Sequence, residues 1–201
     1  MGSQWGRDST YIRAVKEGYR SRAAYKLIEI EDRYHLIREN DNVVDLGAAP
    51  GSWLQVVKSL TRGTIIGIDL SPIAPIEGVQ TLVVDMTDPS LPKRVRSMIG
   101  TVNVVISDVA PKLSGHKSYD QARSMALGEE ALTFACKVLK PGGNFLVKAF
   151  QGEDFNGFLA KIKEQFLSVR TYRTKATRKG SSEIYIIAKN FVSTHETEGP
   201  I

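Results

Sequence analysis

Seven charged residues stand where a charge is either expensive or useful: Lys26, Asp45, Asp69, Asp85, Asp108, Lys148 and Glu183. Four of the acids close short β-branched or apolar runs. These are Val43-Val44-Asp45, Ile65-Ile66-Gly67-Ile68-Asp69, Leu82-Val83-Val84-Asp85 and Val104-Val105-Ile106-Ser107-Asp108. Lys148 interrupts a fifth run, Phe145-Leu146-Val147-Lys148-Ala149-Phe150. An unpaired ammonium in such a strand is costly, so Lys148 requires acidic neighbours. Asp108, at the end of an adjacent strand, fits, and so does Glu183, which opens the last apolar run on the other side. Lys26, from the helix that precedes the sheet, completes the cluster. Asp69, at the end of the second strand, is placed to grip ribose hydroxyls, and Asp85 to accept from the exocyclic amine of a base. Any one of these acids alone would also serve as a cap or a solvated strand end.

The stretch that orders these positions is Val43-Val44-Asp45-Leu46-Gly47-Ala48-Ala49-Pro50-Gly51-Ser52-Trp53. It reads as strand, tight loop and helix N-terminus. Gly47 and Gly51 permit positive φ and let a ligand lie against bare backbone, and the helix start offers unpaired N–H groups. The glycines are not spaced G-x-G-x-x-G, and no G-K-[ST] phosphate loop is present. A carboxylate at Asp45 repels phosphate and attracts an amino group. The expected ligand is therefore nucleotide-like but carries a cation rather than a pyrophosphate.

The elements that must carry these residues alternate along the chain. Strands are expected at 42–46, 64–69, 81–84, 103–107 and 144–149, and helices near 52–60, 91–98, 119–139 and 154–166. Continuous Val/Ile strands separated by helices argue a parallel sheet covered on both faces. In such a sheet ligands sit at the carboxyl ends of the strands. Pro141-Gly142-Gly143 is expected to stop the long helix before the fifth strand. Two further strands, 168–172 and 184–189, are joined only by the basic loop 173–182 and should pair antiparallel. Glu183 then lies on the same edge as the other strand tips. Before the sheet, Ala23, Leu27, Ile30 and Tyr34 form one helical stripe, with Ser21 as N-cap and Lys26 half-covered beside the stripe.

At 201 residues, with 42% hydrophobic and 24% charged content, one globular domain is expected over residues 1–191. Residues 1–20 form a basic arm and 192–201 a frayed polar tail. No apolar run reaches the ~20 residues of a membrane span, and the polar N-terminus has no secretory h-region. Cys136 and three scattered histidines form no zinc set. The expectation is a cytoplasmic, metal-free monomer with no membrane partner. The net charge is +5, concentrated in Arg7, Arg13, Lys16, Arg20, Arg22 and Lys26 and again in Arg170, Arg173, Lys175, Arg178 and Lys179. With Trp5, Tyr11, Tyr19 and Tyr172 interleaved, these clusters fit a phosphate backbone with some base stacking.

The D-L-G-x-x-P-G loop resembles motif I of S-adenosylmethionine (SAM) dependent methyltransferases, whose cofactor carries an ammonium and a sulfonium and no phosphate. The words S-R-A-A-Y-K-L, V-D-L-G-A-A-P-G-S-W, S-D-V-A-P-K-L-S-G and L-V-K-A-F-Q-G resemble the FtsJ/RlmE family of ribosomal RNA large-subunit 2′-O-ribose methyltransferases. The likeness runs from about Tyr19 to Lys189. It implies a Rossmann-like α/β fold: a seven-stranded, mostly parallel sheet with an antiparallel terminal strand and helices on both faces. It also implies a K-D-K-E tetrad of Lys26, Asp108, Lys148 and Glu183, with Lys148 as base or steering group. The implied cofactor contacts are Gly51, Trp53, Asp69, Asp85 and Asp108, beside Asp45 and Gly47. The implied substrate is the 2′-hydroxyl of a uridine in large-subunit ribosomal RNA, methylated on the ribosomal subunit, with S-adenosylhomocysteine as product. Methyltransferases of messenger caps and transfer RNA share the tetrad. A non-catalytic RNA-binding factor is disfavoured by the intact tetrad, and a dehydrogenase by the glycine pattern and terminal hairpin.

Overall fold

A computed structural model describes residues 9–111, 115, 117–177 and 180–192. After a short helix α1 (Ser9–Lys16) and α2 (Ala24–Tyr34), the chain alternates β1 (Val43–Leu46), α3 (Ser52–Leu60), β2 (Ile65–Asp69), β3 (Val79–Val83), α4 (Leu91–Ile99), β4 (Val102–Ser107), α5 (Lys117–Val138) and β5 (Leu139–Phe150). It closes with α6 (Phe155–Gln165), β6 (Phe166–Tyr172) and β7 (Glu183–Phe191). The seven strands form one sheet in the order β3-β2-β1-β4-β5-β7-β6. β1 to β5 pair parallel, and β7 lies antiparallel between β5 and β6.

The central strands are apolar on both sides because both sides are covered. β1 is buried at every position, and β4 at all but one. One core joins Val44, Ile66, Val105, Val147 and Ile186 to α5 and α6 through Phe134 and Phe158. The opposite face packs Val43, Ile65, Ile106, Leu146 and Tyr185 against Leu27 and Ile30 of α2 and Leu54 and Val57 of α3. That alternation between neighbouring positions is the period of two that a strand imposes. It also fixes that Lys148, one step beyond Leu146 on the same face, points toward α2.

Three expectations are corrected. Ser21 is not the N-cap residue of α2: Ala23 takes that place without a side-chain hydrogen bond of its own, while the Ser21 hydroxyl accepts from the Ala23 N–H at 3.2 Å and lies 2.6 Å from that of Ser52. Pro141-Gly142-Gly143 does not end the long helix, which stops at Val138, ahead of β5. The run is looped out inside β5, where the register with β4 jumps from Val102↔Leu139 to Val104↔Asn144. Gly142, at φ +79, makes that excursion. Lys26 is also more deeply covered than expected, its side chain 11% exposed. The basic arm is helical over α1. Trp5, the side chain of Tyr11, Arg7, Arg178 and Lys179, and the tail beyond Val192 lie outside the described residues.

Candidate active site

The parallel sheet brings the carboxyl ends of β1, β2, β4 and β5 to one edge, and the antiparallel β7 contributes its start to that edge. Phe150 faces Glu183 and Lys148 faces Tyr185 across the β5–β7 pair. Lys148 is buried at 7% exposure. Its Nζ donates to the Asp108 carbonyl at 2.6 Å and lies 3.2 Å from Asp108 Oδ1. Lys26 forms a second ion pair, 2.8 Å from the Glu183 carboxylate. Thr177 Oγ1 donates to the same carboxylate at 2.9 Å.

The structure thus gathers all four residues but pairs them differently from the expectation that Lys148 is flanked by both acids. Register is the reason. Tyr185, not Glu183, stands directly opposite Lys148, and the next same-face position on β7 is about 7 Å further along. Glu183 is left to Lys26, which reaches down from α2.

Tyr185 is the residue that sequence reasoning missed. Its ring is fully buried, and its hydroxyl donates to Asp108 Oδ1 at 2.6 Å. The Lys26 ammonium lies 5.6 Å from the ring centroid. Tyr185 therefore links the two ion pairs. Burial first, and then the negative charges of Asp108 and Glu183, hold its hydroxyl well above the ordinary range, so it stays a donor. An aromatic in an apolar strand reads as core, and only its polar tip hints at more.

Beside this cluster lies a recess lined by Ser21, Asp45, Gly47, Ser52, Trp53 and Asp108. Gly47 adopts φ +73, and a Cβ there would stand 2.8 Å from that of Val109. Gly51, at φ +103, is the N-cap of α3. Asp45 is fully buried, and neither carboxylate oxygen has a hydrogen-bond partner. Burial, with the charges of Asp108 and Asp69 behind it, pushes its carboxyl well up. Such a group calls for a cationic or donor-rich partner. Trp53 is buried, donates through its indole N–H to the Ala23 carbonyl at 2.9 Å, and forms a wall of the recess.

Asp69 is occupied on both oxygens by the N–H groups of Ala49 and Ser71, at 2.9 and 2.8 Å. It braces the glycine loop, and each oxygen keeps a further lone pair. Asp85 is exposed, with Oδ1 accepting from the N–H and hydroxyl of Thr87.

The family model of FtsJ-like methyltransferases matches residues 19–191. The chain belongs to the FtsJ-like methyltransferase family. It is 66% identical over 191 residues to the ribosomal RNA large subunit methyltransferase E of Methanoregula boonei, covering 95% of this chain and 99% of that protein. It is 63% identical to the protein of the same name from Methanoculleus marisnigri, over 100% of both. Among solved structures, one described as a ribosomal RNA methyltransferase from Plasmodium falciparum is 31% identical, with a TM-score of 0.77 over 86% of this chain and 98% of that one. A methyltransferase from Streptococcus mutans, solved with S-adenosylhomocysteine, shares the fold at 11% identity and a TM-score of 0.54, covering 85% of this chain and 96% of that one. This FtsJ-like chain is a methyltransferase whose described residues include no helix long and apolar enough to cross a membrane.

Proposed function

We propose that this methyltransferase uses SAM to methylate the ribose 2′-hydroxyl of a uridine in large-subunit ribosomal RNA, as a cytoplasmic monomer acting on the ribosomal subunit. The single observation that carries the reading is the buried Lys148–Asp108–Tyr185 cluster opening beside the Asp45 recess. The names of the two archaeal relatives support the ribosomal substrate.

The recess fits SAM on the chemistry of its donors and acceptors. The orphan Asp45 carboxylate is the partner an amino-acid ammonium needs. Gly47 and Gly51 leave backbone bare for the methionine end, while Asp69 and Asp85 remain for ribose and adenine. When bound, SAM supplies a methyl group already activated by its sulfonium.

The protein's part is then to align the nucleophile and handle one proton. Of the three donor positions on the Lys148 ammonium, two are directed at the carbonyl and carboxylate of Asp108. The remaining position would meet the ribose oxygen, as an N–H that steers its lone pair or, in the neutral amine, as the lone pair that takes its proton. Lys148 acts there as base or steering group, and Asp108, pinned by Tyr185, aims it. Lys26 and Glu183 form a neutral pair that fills the outer side of the cluster.

The test is transfer of labelled methyl from SAM to large ribosomal subunits from cells lacking this protein, followed by nucleotide mapping. Lys148→Ala should abolish transfer while SAM affinity stays near wild type, and Lys148→Arg should not rescue it, since a guanidinium does not give up its proton. A folded Lys148→Ala protein retaining more than about a tenth of wild-type turnover, a barrier change below ~1.4 kcal/mol, refutes the role of Lys148.

A further inference from the structure

Arg20 stands in the basic N-terminal segment, where its charge reads as one more phosphate contact. Its guanidinium is directed elsewhere. One terminal nitrogen donates to the carbonyls of Pro50 and Ala74, at 2.9 and 2.7 Å, and the other to the carbonyl of Pro75 at 2.9 Å. Pro50 belongs to the glycine loop after β1, and Ala74-Pro75 to the loop after β2. The side chain spans two loops that α3 and β2 separate along the chain.

The surrounding contacts show that this span is built. Gly51 lies so close beneath Arg20 that a Cβ there would stand 2.6 Å from the guanidinium nitrogen, with Ile73 and Ile76 at 3.1 and 3.3 Å. The backbone on either side of Arg20 is stitched to α3. Its own N–H donates to Gln55 Oε1 at 2.9 Å, Gln55 Nε2 donates to the Gly18 carbonyl at 2.9 Å, and the Ser21 and Ser52 hydroxyls meet at 2.6 Å. A flat fork with several fixed N–H directions can bridge three carbonyls at once, which a lysine ammonium on a flexible stem does poorly.

We propose that Arg20 is a positioning residue of the cofactor site and not part of the RNA surface: it clamps the loop after β1 to the loop after β2 and so holds the recess in its receiving shape. The inference rests on the reading of that recess as the SAM site, and it assigns Arg20 a role opposite to the one its charge implies.

The test measures the two ligands separately in the full chain. SAM binding is followed by calorimetry without RNA, and binding of purified large-subunit ribosomal RNA by filter retention without SAM. For Arg20→Ala the expected result is a SAM Kd raised about tenfold or more, with the RNA Kd within about twofold of wild type. Arg20→Lys should fall between wild type and Arg20→Ala for SAM, and it is the deciding variant if Arg20→Ala does not fold. In steady state the KM for SAM should rise while the KM for RNA does not. An RNA Kd that rises with SAM binding unchanged returns Arg20 to the RNA surface and overturns the proposal. Equal loss of both affinities together with a lowered Tm makes Arg20 a general structural residue and also overturns it. If wild type binds SAM but methylates no RNA, the reading of the substrate fails while the clamp is still decided by the calorimetry.

Discussion

Replacing Tyr185 by Phe removes one oxygen from the centre of the site and little else. The ring keeps its contact with Trp53, at 6.0 Å between centroids, and its place under Lys26. What is lost is the 2.6 Å bond to Asp108 Oδ1. A hydrogen bond to a charged group contributes about 1.5–3 kcal/mol. The hydroxyl no longer has to be desolvated, and Asp108 keeps its ion pair with Lys148, so the lower end applies. A loss of about 1.5 kcal/mol in a chain of this size corresponds to a Tm lowered by roughly 3–6 °C. The catalytic effect should be larger than the fold's tolerance would imply, because Asp108 is then held on one side only and aims Lys148 less well. We expect single-turnover methyl transfer to fall by about tenfold or more, a barrier increase of ~1.4 kcal/mol, with SAM affinity nearly unchanged. The assay pairs thermal melting with rapid-quench transfer from labelled SAM at saturating RNA. A Tm within about 1 °C of wild type and a rate within about twofold would show that the phenol is packing only, and the argument that Tyr185 links the ion pairs would fall.

Asp45→Asn should raise the stability of the free protein, since a buried unpaired carboxylate is removed, and should weaken SAM binding by about tenfold or more; unchanged calorimetric affinity would remove Asp45 from the ammonium site. In the wild type, an ammonium ligand favours the charged carboxylate that burial disfavours, so SAM binding should tighten as pH rises and release a proton, seen as a dependence of binding heat on buffer ionisation. Glu31 supplies a pH effect of stability away from the site. It is buried, and burial pushes its carboxyl up from 4.5 to about 7, against the N–H groups of Ile37 and Leu36 and the charge of Lys189, which pull it down. A raised carboxyl binds its proton more tightly folded than unfolded, so this contribution to stability is lost as pH climbs from 4.5 to about 7, by on the order of 3 kcal/mol. Glu31→Gln should flatten urea-unfolding stability across that window, and a profile parallel to wild type would contradict the assignment. Neutralising Arg173 and Lys175 together should weaken RNA binding and reduce its salt slope by roughly 1–2, with SAM binding unaltered; an unchanged slope would place the phosphates elsewhere.

Much of this molecule is written locally. The Val/Ile runs, each closed by an acid, specify strands and their tips, because a strand covered on both faces is apolar at nearly every position whichever strand it pairs with. The glycines at 47 and 51 specify the loop because few other residues take positive φ. The absence of a helix between the last two strands specifies the hairpin. From those elements alone the cluster of Lys26, Asp108, Lys148 and Glu183 was legible, as was the recess beside it. Which amine meets which carboxylate was not. That is set by the β5–β7 register, in which Phe150 faces Glu183 and Tyr185 faces Lys148, and register belongs to two strands at once. The polar role of Tyr185 was hidden for the same reason, since its partner lies on β4 side of the sheet, far away in sequence. Arg20 looked like surface charge because it stands among Arg13, Lys16 and Arg22, whereas its acceptors are backbone carbonyls thirty or more residues on. Every amino acid carries a carbonyl, so a sequence holds no sign of which one will be left unpaired in a loop and come within reach of a guanidinium; only the folded chain decides that.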